Sequence, residues 1–125
     1  MADEPIPDDV RDFILRNIDS IAQLEALLLL RAQPDVSWTV EKVAQRLYTS
    51  QPDIAEVLAR LGADGFLSVQ AHAYRFECAT PEQRAMVDRT ADTYQRQLIA
   101  VTNMIHAKPR RIRQFADAFK FKKDH

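Results

Sequence analysis

The chain has 125 residues, 46% hydrophobic and 28% charged, with a net charge of −1. That describes an ordinary soluble protein of one domain, large enough for a real core. The longest purely apolar run, Ala26 to Leu30, is far too short to cross a membrane.

Two glycines and few β-branched runs argue for a mainly α chain. The single Cys78 permits no internal disulfide, and Met1-Ala2-Asp3-Glu4 lacks the basic and apolar regions of a signal peptide. A reducing, cytoplasmic setting is the simple inference. Charge is unevenly placed. Residues 1–20 hold six acids against two bases, about −4, and residues 106–125 hold seven bases against two acids, about +5. Either the basic end meets something anionic, or it is a solvated helix lying against the acidic end of the same or another subunit.

Residues 1–19 read as a tail followed by a short helix. Pro7 and Asp8 open that helix, which runs to about Ile18 with Val10, Phe13, Ile14 and Ile18 on one face. Residues 20–80 form the central unit. Ser20 with Gln23 makes a capping box for a helix to about Ala32, with Ile21, Leu24, Leu27, Leu28 and Leu30 inward. Pro34 and Asp35 end it. Thr39 can cap the next helix, and Trp38 just before it reads as a lid over the helix junction.

The stretch Val40 to Gly65 organises the rest. Val40, Val43, Ala44 and Leu47 recur at helical spacing, and so do Ile54, Val57, Leu58 and Leu61. Between them lies turn chemistry. Ser50 can accept from the N–H groups of a new helix, Asp53 can reach back as its capping-box partner, and Pro52 falls in the first turn. This is helix–turn–helix spacing. Gly65 then reads as a left-handed stop. Residues 66–70 and 73–78 alternate apolar and polar side chains as a half-exposed two-stranded ribbon would, with His72 at its tip.

Helix, turn, helix and hairpin is the order of a winged helix. The run Leu58-Ala59-Arg60-Leu61-Gly62-Ala63-Asp64-Gly65-Phe66-Leu67 resembles the recognition-helix exit of bacterial winged helix–turn–helix transcriptional regulators of the MarR/PadR-like superfamily. There a Leu, a Gly and an apolar pair lead into the wing. The resemblance covers roughly residues 20–78. It implies that the second helix of the motif enters the major groove of double-stranded DNA while the wing touches backbone or minor groove. Carried over, Ser50, Gln51, Asp53, Ala55 and Glu56 would face the groove, with Arg60 further along. Gln51 is an adenine reader by chemistry, and Ser50 a phosphate or base contact. Lys42, Arg46, His72 and Arg75 would supply further contacts. Asp53 and Glu56 depart from the family, which usually places Ser, Thr, Arg or Lys there.

Residues 81–125 read as a helical dimerisation segment with a basic tail. Thr80 and Pro81 start a helix with no breaker before Pro109, about 27 residues and near 40 Å at ~1.5 Å per residue. Val87, Ala91, Tyr94, Leu98, Val101 and Ile105 are spaced 4, 3, 4, 3, 4 along it, the seam of a coiled coil that would pair two subunits. The alternative is a helix packed on its own domain. Arg110 to Lys123 looks like a short basic amphipathic helix whose apolar face is Ile112, Phe115, Ala116 and Phe119. It could dock on the dimer body, bind a partner protein or nucleic-acid phosphate, or lie on an anionic membrane surface.

Enzymatic chemistry finds little support. His72, His106 and His125 lie far apart, and none is in metal-ligand spacing with Cys78 or a carboxylate. No Gly-rich phosphate loop, nucleophile motif or cofactor signature is present. Two classes of function remain: a homodimeric DNA-binding regulator, or a winged-helix module that binds another regulator and not DNA.

Overall fold

A computed structural model of the chain describes residues 5–108. The expected basic helix at 110–123 therefore lies outside the described residues. Among the described residues six helices and one hairpin occur in order: α1 Asp8–Asn17, α2 Ile21–Ala32, α3 Val40–Leu47, α4 Gln51–Ala63, β1 Leu67–Gln70, β2 Ala73–Phe76, α5 Pro81–Arg96 and α6 Leu98–Ala107. The architecture is mainly α with a small β-wing, a winged helix–turn–helix extended at both ends by helices.

Capping chemistry sets most helix starts. Ser20, Thr39, Ser50 and Thr80 each accept through the side-chain oxygen from the backbone N–H three residues on. The capping boxes are less reciprocal than the sequence suggests. The Gln23 carboxamide accepts from Asp19 N–H at 2.7 Å rather than from Ser20, and it donates to Asn17 O at 3.0 Å. Gln23 is buried and thereby holds the α1–α2 linker. Asp53 offers Ser50 its backbone N–H, but its carboxylate makes no return bond among the described residues.

The core forms where these helices face one another. α2 contacts α3 and α4, and α3 contacts α4, so Leu24, Leu27, Leu30, Val43, Ala44, Ile54, Leu58 and Leu61 share one apolar centre. α1 closes it from the other end, with Phe13 meeting Phe66 edge-on at 5.7 Å. α4 ends in a left-handed Gly65. Phe66 N–H bonds Leu61 O at 3.0 Å and Gly65 N–H bonds Gly62 O at 3.1 Å, a Schellman ending. That reversal sends the chain directly into β1.

The wing is an antiparallel pair in the register Leu67↔Phe76, Ser68↔Arg75, Val69↔Tyr74, Gln70↔Ala73. Leu67 and Phe76 anchor its root in the core. Trp38 adds a one-residue third strand, exchanging two 2.7 Å backbone bonds with Tyr74. Alternation along residues 66–78 cannot reveal this, because the pairing residue lies 36 positions upstream of Tyr74.

The long C-terminal helix is a correction. It is two helices, parted at Gln97 (φ −131°, ψ 51°), although neither Pro nor Gly is there. An unbroken helix would carry its second half past the small domain. Turning at Gln97 instead lets Val101 and Ile105 reach the same core as Val87. Arg31–Asp88 at 2.8 Å ties α5 to α2, and Arg89–Asp9 at 2.8 Å ties it to α1.

Candidate nucleic-acid interface

The turn between α3 and α4 presents α4 to solvent. Ile54, Leu58 and Leu61 fix its inner face, so Gln51, Asp53, Ala55, Glu56 and Arg60 are all exposed. α4 lies close to the wing because Gly62 has no side chain. A Cβ there would stand 3.2 Å from Val69 Cγ2. Beyond Gly62 the hairpin projects to a two-residue turn, Ala71-His72, with φ of 51° and 66°. Two left-handed residues are what a type I′ hairpin turn needs. His72 stands at the tip, as its sequence position suggests, and is exposed.

The cations of this face are not equally available. Lys42 on α3 is exposed and its side chain has no partner among the described residues. Arg46 lies over the Trp38 ring at 5.5 Å, which holds its guanidinium in place while leaving it exposed. Arg75 on the wing makes one 3.4 Å contact with Glu77. Arg60 is more committed, bonded to Asp64 at 3.1 Å and facing Asp19 at 3.8 Å. The Ser50 hydroxyl oxygen is the α4 cap, 3.3 Å from Asp53 N.

Asp53, Glu56 and Arg60 share the edge of α4 that faces the start of α2. With Asp19 and Ser20 they line an open cleft of about 510 Å³. Neither the Asp53 nor the Glu56 carboxylate has a cationic partner among the described residues.

The sequence pattern misses Tyr48. It caps α3 in the left-handed region (φ 55°) and is 96% exposed at the head of the turn. A large aromatic there packs against nothing, and with Glu41, Gln45, Thr49 and Gln51 it borders an open hollow between α3 and α4. The available signal is a bulky residue directly between two amphipathic runs, which the pattern of apolar positions ignores.

The proposed subunit seam divides. Val87, Val101 and Ile105 are buried in the chain's own core, Ala91 and Tyr94 are half-buried, and Leu98 is 51% exposed. Ile99, outside the seam, is 70% exposed. Tyr94 OH reaches Glu25 at 3.3 Å, and burial together with the Glu25 charge pushes its pKa up. Burial also raises the Cys78 thiol above its usual value, partly offset by Arg84. Cys78 lies just after β2 rather than within it. No three His, Cys, Asp or Glu side chains gather into a metal-binding group, and no helix is long and apolar enough to cross a membrane, among the described residues.

No protein-family model matches the sequence, and no curated protein matches it. A solved structure does share the fold: the crystal structure of a MarR family transcriptional regulator from Silicibacter pomeroyi. It aligns over 94% of this chain and 80% of its own, with a TM-score of 0.53 and 16% identity. The likeness spans the terminal helices as well as the winged core.

Proposed function

We propose that this chain is a DNA-binding transcriptional regulator that works as a homodimer. α4 enters the major groove of double-stranded DNA, and the β1–β2 hairpin lies on backbone or minor groove. The observation that carries the reading is α4 itself, solvent-facing between a helix–turn–helix junction and a projecting hairpin. Lys42, Arg46 and Arg75 are the phosphate contacts, and Gln51 with Ala55 the base-facing pair. The dimer contact falls to Leu98 and Ile99, large apolar side chains left exposed at the start of α6.

A second reading has its own support. The exposed carboxylates Asp53 and Glu56 on α4 suit a basic protein partner better than a phosphate backbone. Binding to mixed duplex fragments of genomic DNA, read by electrophoretic shift, separates the two. Three phosphate contacts per subunit give a dimer a slope of roughly −5 in log K against log salt. Binding at about 50 mM salt that fades by about 200 mM supports the regulator. No shift at either concentration assigns α4 to a protein.

A further inference from the structure

The turn between α3 and α4 carries three hydroxyl side chains in a row, Tyr48, Thr49 and Ser50, and two of them make the turn itself. Thr49 Oγ1 donates to Leu47 O at 3.1 Å, and Thr49 N–H bonds Ala44 O at 3.1 Å. Ser50 Oγ accepts from Asp53 N–H at 3.3 Å as the α4 cap. The Tyr48 hydroxyl has no partner among the described residues, and Tyr48 is 96% exposed.

The turn does not call for a tyrosine. Tyr48 holds φ 55° and ψ 43°, left-handed angles that crowd a β-carbon and at which helices commonly end in Gly or Asn. Its presence there lowers stability relative to either, and burial does not offset the loss, since the ring packs against nothing. A strained residue without a structural role is where function is to be sought.

Position says which function. Tyr48 comes two residues after Arg46 and three before Gln51, the first residue of α4. With Gln45 and Gln51 it borders an open hollow of about 450 Å³ between α3 and α4. The phenol therefore stands beside the end of α4 that meets base edges when such a helix enters the major groove. Glu41 borders the same hollow, but it precedes Tyr48 by seven residues, about 10 Å along α3 at ~1.5 Å per residue. Chemistry agrees. A phenol offers one uncharged O–H donor at the end of a rigid ring, and phosphate oxygens accept from such side chains.

We propose that Tyr48 is a DNA contact, its hydroxyl donating to a backbone phosphate at the edge of the major groove and so fixing how the start of α4 sits over the bases. The assignment rests on the proposed DNA-binding function of α4 and adds a contact that Lys42, Arg46 and Arg75 cannot supply. Those three act by charge. Tyr48 acts by geometry, because a neutral donor releases no counterions and holds register without reading sequence.

The test uses the full-length chain, a duplex chosen for tight binding by the parent, and two variants. Tyr48→Phe removes only the hydroxyl. It is expected to weaken binding roughly tenfold at every salt concentration, with the slope of log K against log salt unchanged and the ranking of different duplexes unchanged. Tyr48→Asn removes the ring and relieves the backbone. It should bind DNA no better than Tyr48→Phe while its thermal midpoint rises by a few degrees, so that lost affinity cannot be ascribed to lost fold. The phosphate is located by duplexes carrying one uncharged methylphosphonate linkage at a time. One linkage per half-site should weaken the parent and leave Tyr48→Phe unaffected. A Tyr48→Phe variant that binds as tightly as the parent overturns the proposal. So does a loss confined to some duplexes, which would make Tyr48 a base reader, or a midpoint that falls in Tyr48→Asn, which would make it a packing residue. A parent that binds no duplex at about 50 mM salt defeats the DNA-binding function and the Tyr48 contact with it, whereas a binding parent with unaffected variants defeats the Tyr48 contact alone.

Discussion

Gly65 has a positive φ of 92°, and its position explains why no other residue suits it. The left-handed ending turns α4 into β1, and an added Cβ would meet Gln83 Nε2 at 3.2 Å and Ala79 Cβ at 3.3 Å. Gln83 is held there by its bond to Asp64 O at 2.9 Å. Gly65→Ala should therefore lower stability by about 1–2 kcal/mol from the left-handed backbone alone, read as the urea midpoint at unchanged slope. The wing tip runs the other way. Ala71 and His72 hold left-handed angles that Asn and Gly adopt far more readily. Ala71→Asn with His72→Gly should raise stability by about 1 kcal/mol, since relief of two strained residues exceeds the added entropy of one glycine. A midpoint that falls would mean the tip makes contacts worth more than its strain. Gly65 was legible from its place after an apolar-periodic run. The strained pair was not, because alanine and histidine carry no turn signal.

Among the elements, α6 shows how far periodicity can be trusted. The 4-3-4-3-4 spacing reads as a seam between subunits, yet Val87, Val101 and Ile105 are buried in the chain's own core, because periodicity marks an apolar face and does not say against what it packs. A coiled-coil seam and an amphipathic helix folded back on its own core have the same spacing over so few turns. The break at Gln97 decides for the second at those three positions, and no Pro or Gly announces it. The helices α2 to α4 were legible for the opposite reason: each begins at a side chain that caps it, and each carries a buried stripe short enough to belong to one domain. Two apolar sets on α6 now make different predictions. Val101→Ala removes buried methyl groups and should cost about 2 kcal/mol of stability. Leu98→Glu with Ile99→Glu alters side chains exposed in the single chain, so it should leave each chain helical by circular dichroism while converting a dimer into a monomer by light scattering, with the thermal midpoint falling only by what the partner subunit contributed. A dimer that survives the double substitution places the subunit contact elsewhere.

At the scale of the whole molecule, charge is the property that the fold alone does not explain. The net charge is −1, yet the groups on the interface are segregated. Lys42 and Arg46 lie on α3 and Arg75 on the wing, while Asp53 and Glu56 occupy the α4 flank between α2 and solvent. In a regulator, the basic groups draw in a phosphate backbone and the acidic flank opposes it, more strongly at low salt where screening is weak. Glu56→Gln removes one negative charge from an exposed position and leaves the α4 cap and core untouched. It should strengthen binding to non-specific duplex DNA at about 50 mM salt, with the gain shrinking as salt rises. If Glu56 also accepts from a cytosine amino group, the same change relaxes preference for the specific site by ~1–3 kcal/mol. Fluorescence anisotropy against a panel of labelled duplexes reads both effects together. Equal affinity of parent and variant for every duplex would mean that α4 does not approach the phosphates. A variant that loses a basic protein partner while neither form binds DNA would make this face a protein-docking surface, with Asp53 and Glu56 as its charged contacts.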